Sequence, residues 1–212
     1  SASPGIEPTP SPEDTPSSPS PELIGLLPHE EGFQWHYFGF AEYGHEMTLD
    51  TITPEADRIV YSVSGEVYDM SGGESDSDYS ISLTYMVDAD TMIQEKTAPM
   101  MMDSPFDRIE LLQTPLNEGA GWQQTVQDAS GQDVTLDCTI EEIEEKPAGA
   151  VYTVLYQDMG SEYYERREIQ EDFGVIRFEK LYMPEGEEPF VIGYSAYTDA
   201  DAVNDKMRNM LD

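Results

Sequence analysis

The chain has 212 residues with 10 Lys and Arg against 44 Asp and Glu, a formal net charge of −34. Such a surface repels phosphate backbones and anionic lipid headgroups, which argues against nucleic-acid binding and electrostatic membrane docking. Hydrophobic residues at 38% and aromatics at 10% still suffice for the core of one domain or two small ones, so the chain is not an acidic disordered protein throughout.

The first segment, residues 1–22, holds seven of the fifteen prolines, with Ser and Thr among them and Ile6 as its one large apolar residue. Repeated proline favours an extended, solvated chain and leaves nothing to bury, so this stretch reads as a disordered tether that lifts a domain off a surface. No apolar run approaches the roughly 20 residues that a membrane-spanning helix requires. A signal peptide removed upstream of Ser1 is the expectation, with the mature chain at the cell surface or secreted.

From residue 23 onward the pattern is one of strands. Ile59, Tyr61, Val63, Gly65 and Val67 alternate with small or polar residues, and Tyr79, Ile81, Leu83, Tyr85 and Val87 do so again. Period two of this kind marks strands with one buried face. Val134, Leu136, Cys138 and Ile140 continue the pattern, followed by strands over 151–156, 163–169 and 175–182. Turn residues separate them, as in Asp88-Ala-Asp90 and Pro147-Ala-Gly149. A last strand is expected over 190–197, and Val203, Met207, Met210 and Leu211 stand at helical spacing near the C-terminus.

The chain also matches itself. A shift of 87 residues aligns Pro28 with Pro115, Glu31 with Glu118, Gly32 with Gly119, Trp35 with Trp122, Gly44 with Gly131, and Thr48-Leu49-Asp50 with Thr135-Leu136-Asp137. The two tryptophans of the chain thus coincide. The reading is two related antiparallel meander units, at 23–98 and 110–199, packed as one domain, with an inter-unit segment at 99–109 and a short C-terminal helix at 200–212. The fold class expected is all-β, a sandwich or a barrel.

Chemistry-bearing motifs are sparse. The aromatic run from Phe33 to His45 gathers two histidines with Glu42, so His36, Glu42 and His45 could form a general-base cluster of a hydrolase, although unit two has Gln123 and Gln132 at the histidine positions. Trp35, Tyr37 and Trp122 are the candidate lining of an apolar-ligand pocket in a barrel or sandwich. Cys138 is the single cysteine, sits on the apolar side of its strand, and reads as a packed thiol rather than a nucleophile. Acidic loops at 69–78 and 199–205 suggest weak Ca2+ binding, yet neither follows the EF-hand pattern. No catalytic residues and no metal ligands are assigned, and no other cofactor is expected.

His36-Tyr-Phe-Gly-Phe-Ala-Glu-Tyr-Gly-His45, followed by Pro115-Leu-Asn-Glu-Gly-Ala-Gly-Trp122, resembles motifs of uncharacterised surface lipoproteins and secreted proteins of Firmicutes-type Gram-positive bacteria. That resemblance, which extends over roughly 32–182, implies a signal peptide and a lipid-modified cysteine upstream of the tether, and it brings no assigned activity or catalytic residues with it. The reading that results is a non-enzymatic β-domain with a binding or structural role in the envelope, for which a basic protein is a candidate partner. An apolar-ligand barrel is the first alternative and a hydrolase the second.

Overall fold

A computed structural model describes residues 18–40, 44–69 and 72–196. Among them one short helix, α1 (Pro21–Ile24), precedes twelve strands: β1 (Gln34–Gly39), β2 (His45–Pro54), β3 (Ile59–Val67), β4 (Ser80–Val87), β5 (Thr91–Thr97), β6 (Arg108–Gln113), β7 (Gly121–Gln127), β8 (Asp133–Lys146), β9 (Gly149–Asp158), β10 (Tyr164–Gln170), β11 (Gly174–Tyr182) and β12 (Phe190–Ala196). The fold is all-β. The C-terminal helix expected at 200–212 and most of the tether lie outside the described residues.

All twelve strands form one antiparallel sheet in the order β6-β5-β4-β3-β2-β1-β12-β11-β10-β9-β8-β7. Each half of the chain is therefore a six-strand meander, as short turns between consecutive strands require. The halves join where β1 pairs with β12, through Tyr37↔Ala196, Phe38↔Ser195 and Gly39↔Tyr194. The sheet curls until its two ends, β6 and β7, face each other, so a barrel, rather than a sandwich, is the architecture, and it is nearly closed. β6 hydrogen-bonds to β5 and so completes the first meander, although it straddles the unit boundary drawn from the sequence at 109/110.

Alternation decides what points inward. Ile81, Leu83, Tyr85 and Val87 of β4 are all buried, as are Leu136, Cys138 and Ile140 of β8. Bulges at Asp50 in β2 and Glu141 in β8 shift the register, and beyond them both strands run out past the core with mostly exposed residues.

Because neighbouring strands run in opposite directions, turns after even-numbered strands gather at one end of the barrel and turns after odd-numbered strands at the other. α1 stops the first end. Ser20 Oγ accepts the N-cap bond from Leu23 N, Pro21 opens the helix, and the Ser20 amide donates to Asp88 O at 2.8 Å. Leu23, Leu26 and Leu27 are driven into the barrel with at most 1% exposure. Residues 18–22, expected to belong to the tether, are thus folded onto the barrel. The turn after β10 meets the end of α1, where Asp172 N donates to Gly25 O at 2.9 Å, and the same turn is tied to β1, where Trp35 Nε1 donates to Phe173 O at 2.7 Å. The segment between β5 and β6 covers the other end, where Asp103, Ser104 and Phe106 are buried.

Candidate functional site

Three places in the barrel were candidates for chemistry: the histidine pair, the interior, and the junction between its two ends. The hairpin register separates the histidines. Tyr37 pairs with His45 and His36 with Glu46 across β1 and β2, and opposite pleat positions face opposite sides of the sheet. His36 stands outside, its Nδ1 3.6 Å from Glu46 Oε2, while His45 is buried at 2% exposure. The His45 ring stacks on Tyr37 at 4.5 Å and meets the edge of Tyr194 at 4.8 Å. Burial, assisted by the nearby Lys96 charge, lowers its pKa to about 3, so it is a neutral aromatic filler at physiological pH. Glu42 lies outside the described residues. The sheet itself prevents His36 and His45 from acting on one substrate, which removes the cluster as a catalytic pair.

Trp35, Tyr37 and Trp122 all point into the barrel, at 2%, 2% and 9% exposure. Trp35 is tied to Phe173 O, and the Tyr37 hydroxyl donates to Val175 O at 2.8 Å. Trp122 packs edge-on against Tyr156 at 6.3 Å, and its buried Nε1 has no hydrogen-bond partner.

A twelve-strand barrel is wider than the eight-strand kind that ordinary side chains just fill, and here long polar side chains occupy the middle. Arg167, 1% exposed, lies between the rings of Tyr156 and Phe178, at 4.8 and 4.9 Å from their centroids. Its Nη1 donates to Glu165 Oε2 at 2.8 Å, and the Tyr163 hydroxyl donates to Glu165 Oε1 at 2.7 Å. Burial opposes the Arg167 charge, but Glu165 and the surrounding acidic groups outweigh it and hold the pKa above its ordinary value. Nearer the covered end, Lys96 pairs with Asp103 and donates to Ser104 O at 2.8 Å, while Lys180 donates to Asp103 O. Burial pushes the Asp103 carboxyl up, and Lys96 offsets only part of that rise. The interior is thus packed with a paired, hydrogen-bonded network. The inward placement of Glu165 and Arg167 was invisible in the sequence, where Tyr163 to Ile169 reads as a strand with polar residues on both faces.

The two sheet ends are not zipped together. Asp107 O accepts from Lys96 N on the β5 side, and Asp128 N donates to Gln132 O on the β8 side. Since backbone groups alternate along an antiparallel strand, those of Arg108 and Glu110 face β7, and those of Gln123, Thr125 and Gln127 face β6. One side chain bridges the gap: Gln124 Oε1 accepts from Glu110 N at 2.8 Å, and Gln124 Nε2 donates to Glu110 O at 2.9 Å. A slot of about 680 Å3 runs along the junction, with Ile109 and Val126 at its inner side. Four carboxylates, Asp107, Glu110, Asp128 and Asp133, line it with a single cation, Arg108, which already pairs with Glu95. The 87-residue shift places Gln124 where Tyr37 stands at the zipped β1/β12 junction.

Among the described residues no group of three or more His, Cys, Asp or Glu side chains is placed to hold a metal ion, and no helix is long and apolar enough to cross a membrane. In the acidic loop before β4, Asp78 Oδ1 accepts from Ser80 N and Oγ, which makes a turn and holds its carboxyl below the usual range. The loop at 199–205 lies outside the described residues.

No protein-family model and no curated protein matches the chain. Among solved structures it is similar to a protein designated as exported, with a YmcC-like fold, from Bacteroides fragilis NCTC 9343: 12% identity over 81% of this chain and 98% of that one, with a TM-score of 0.49. It is also similar to a protein designated a lipoprotein from Parabacteroides distasonis ATCC 8503, at 13% identity over 81% of this chain and 96% of that one, with a TM-score of 0.45. Both sources are Bacteroidetes, so they lend no support to the Firmicutes-type source suggested by the aromatic motif.

Proposed function

We propose that this chain is an exported or surface-tethered β-barrel with a binding or structural role in the cell envelope, and that it works through its outer surface. The observation that carries this reading is the filled interior. Where a ligand-carrying barrel keeps an apolar cavity, this one places Arg167, paired with Glu165, between two aromatic rings. Leu23 of α1 with Leu26 and Leu27 just after it, and the segment covering Lys96 and Asp103, stop the two ends. The Pro- and Ser-rich start of the chain and the net charge of −34 suit a solvated, self-repelling domain held off a surface.

The unpartnered Trp122 Nε1 favours a second reading, in which a small apolar ligand with one hydrogen-bond acceptor enters beside Trp122. Titration of the purified chain with a fatty-acid series and an apolar fluorescent probe, read through quenching of Trp35 and Trp122, separates the two. The outward-working reading expects no saturable uptake, whereas stoichiometric uptake that Trp122→Phe abolishes establishes the interior ligand. For location, fractionation of the source cells is decisive: recovery with the envelope or the medium is expected, and recovery in the cytosol overturns the proposal.

A further inference from the structure

We propose that the β6/β7 junction is a strand-insertion site for an extended, basic segment of a partner protein. This rests on the outward-working reading above and names the surface and the partner chemistry.

The two junctions between the meanders differ in kind. At one, β1 and β12 exchange backbone hydrogen bonds directly. At the other, the backbone groups of Arg108 on β6 and of Gln123, Thr125 and Gln127 on β7 point across the slot, and the Gln124 amide spans it, bonding to both the N and the O of Glu110. An exposed strand edge is a template for another strand, and here β7 offers Gln123, Thr125 and Gln127 to an entering segment, with Arg108 and, once Gln124 yields, Glu110 on the facing edge of β6. Five residues of β7, Gln123 to Gln127, offer about 17 Å of edge at roughly 3.3 Å per residue, enough for a five-residue segment.

The walls of the slot set the chemistry of that segment. Side chains alternate across a strand, so one face of it meets Ile109 and Val126 at the inner side of the slot and takes small or apolar residues. The other face meets Glu110 and Asp133, while Asp107 and Asp128 flank the slot just beyond the ends of β6 and β7. These four carboxylates, with Arg108 already committed to Glu95, favour lysine or arginine on the outward positions of the segment and repel acidic strands. Main-chain pairing then supplies affinity, and the alternating pattern supplies selectivity. Gln124 acts as the latch: its amide occupies the bonds that the incoming backbone takes over.

The test uses the intact chain and a capped heptapeptide of alternating lysine and valine. Calorimetry and amide hydrogen exchange are the readouts. Saturable binding is expected, with slowed exchange at Arg108, Thr125 and Gln127, and with affinity that falls as salt rises. Thr125→Pro removes an edge donor without touching the β8 ladder, and is expected to weaken binding about tenfold or more while the melting temperature holds. Gln124→Ala opens the latch and is expected to tighten binding. A control peptide of equal charge with proline at its centre, and a second with glutamate in place of lysine, are expected not to bind. Equal binding of the proline-centred peptide shows charge attraction without strand pairing and overturns the proposal, as does absence of both heat and protection with the alternating peptide. Neither result bears on the interior titration with apolar probes, so the failure of one reading is distinguishable from failure of the other.

Discussion

Gln124 accepts a hydrogen bond from the Glu110 amide at 2.8 Å and donates one to the Glu110 carbonyl at 2.9 Å. One side-chain amide thereby does at the barrel junction what a backbone peptide does between the other strands, and it does so at 7% exposure, where broken bonds are not replaced by water at no cost. Replacing Gln124 with Ala is expected to cost about 1–3 kcal/mol. Urea unfolding measures the loss, and faster exchange of the Glu110 amide, with the β8 and β9 amides unchanged, locates it at the junction.

Arg167 and Glu165 are a buried pair, and such a pair is far more expensive to break than to replace. Arg167→Met alone strands the Glu165 carboxylate in the interior and is expected to destabilise by about 3–5 kcal/mol. Combining Arg167→Met with Glu165→Gln is expected to recover most of that loss, because no uncompensated charge remains. A double-mutant cycle in denaturant checks this; additive losses would contradict it.

His45 links stability to pH. Its folded pKa is lowered to about 3 from an ordinary value near 6.5, so the unfolded state takes up a proton first as pH falls. The stability it contributes is fully present above about pH 6.5 and is lost progressively down to about pH 3, at up to about 1.4 kcal/mol per pH unit. Asp103 runs the other way: its raised pKa favours the folded state at acid pH, and that contribution disappears as pH rises through the folded value. The comparison that isolates His45 is wild type against His45→Phe, with urea midpoints measured from pH 7 to pH 4. The variant is expected to show the smaller loss on acidification.

Cys138 is fully buried, and burial pushes its thiol up to about 12, against a hydrogen bond from Gln124 Nε2 at 3.3 Å. The thiolate is the reactive form. A thiol reagent at pH 8 is therefore expected to leave the native chain unlabelled for hours and to label one site per chain at once in denaturant; fast native labelling would contradict the placement.

Periodicity in the sequence determined the strands and much of the core. Tyr79 to Val87 is an alternation of large apolar and small polar residues, and only a strand with one buried face lets that pattern bury its apolar half, so Ile81, Leu83, Tyr85 and Val87 could be placed inside from residue types alone. The same rule read Cys138 as a packed thiol. It failed at β10, where Tyr164 to Gln170 offers polar residues at both parities and nothing local says which face turns inward. The width of a twelve-strand barrel decided that, since its centre has room for a guanidinium held between two rings. His36 and His45 looked like partners because they are near in sequence, but hairpin register put one outside and the other in the core. The junction depended still more on tertiary structure. Which strands end a sheet is a property of how all twelve are ordered, so neither the exposed edges of β6 and β7 nor the role of Gln124 between them has a local signature in the sequence. Local alternation determines which residues share a face, whereas closure of the whole sheet decides which face is inside and which edges are left to meet.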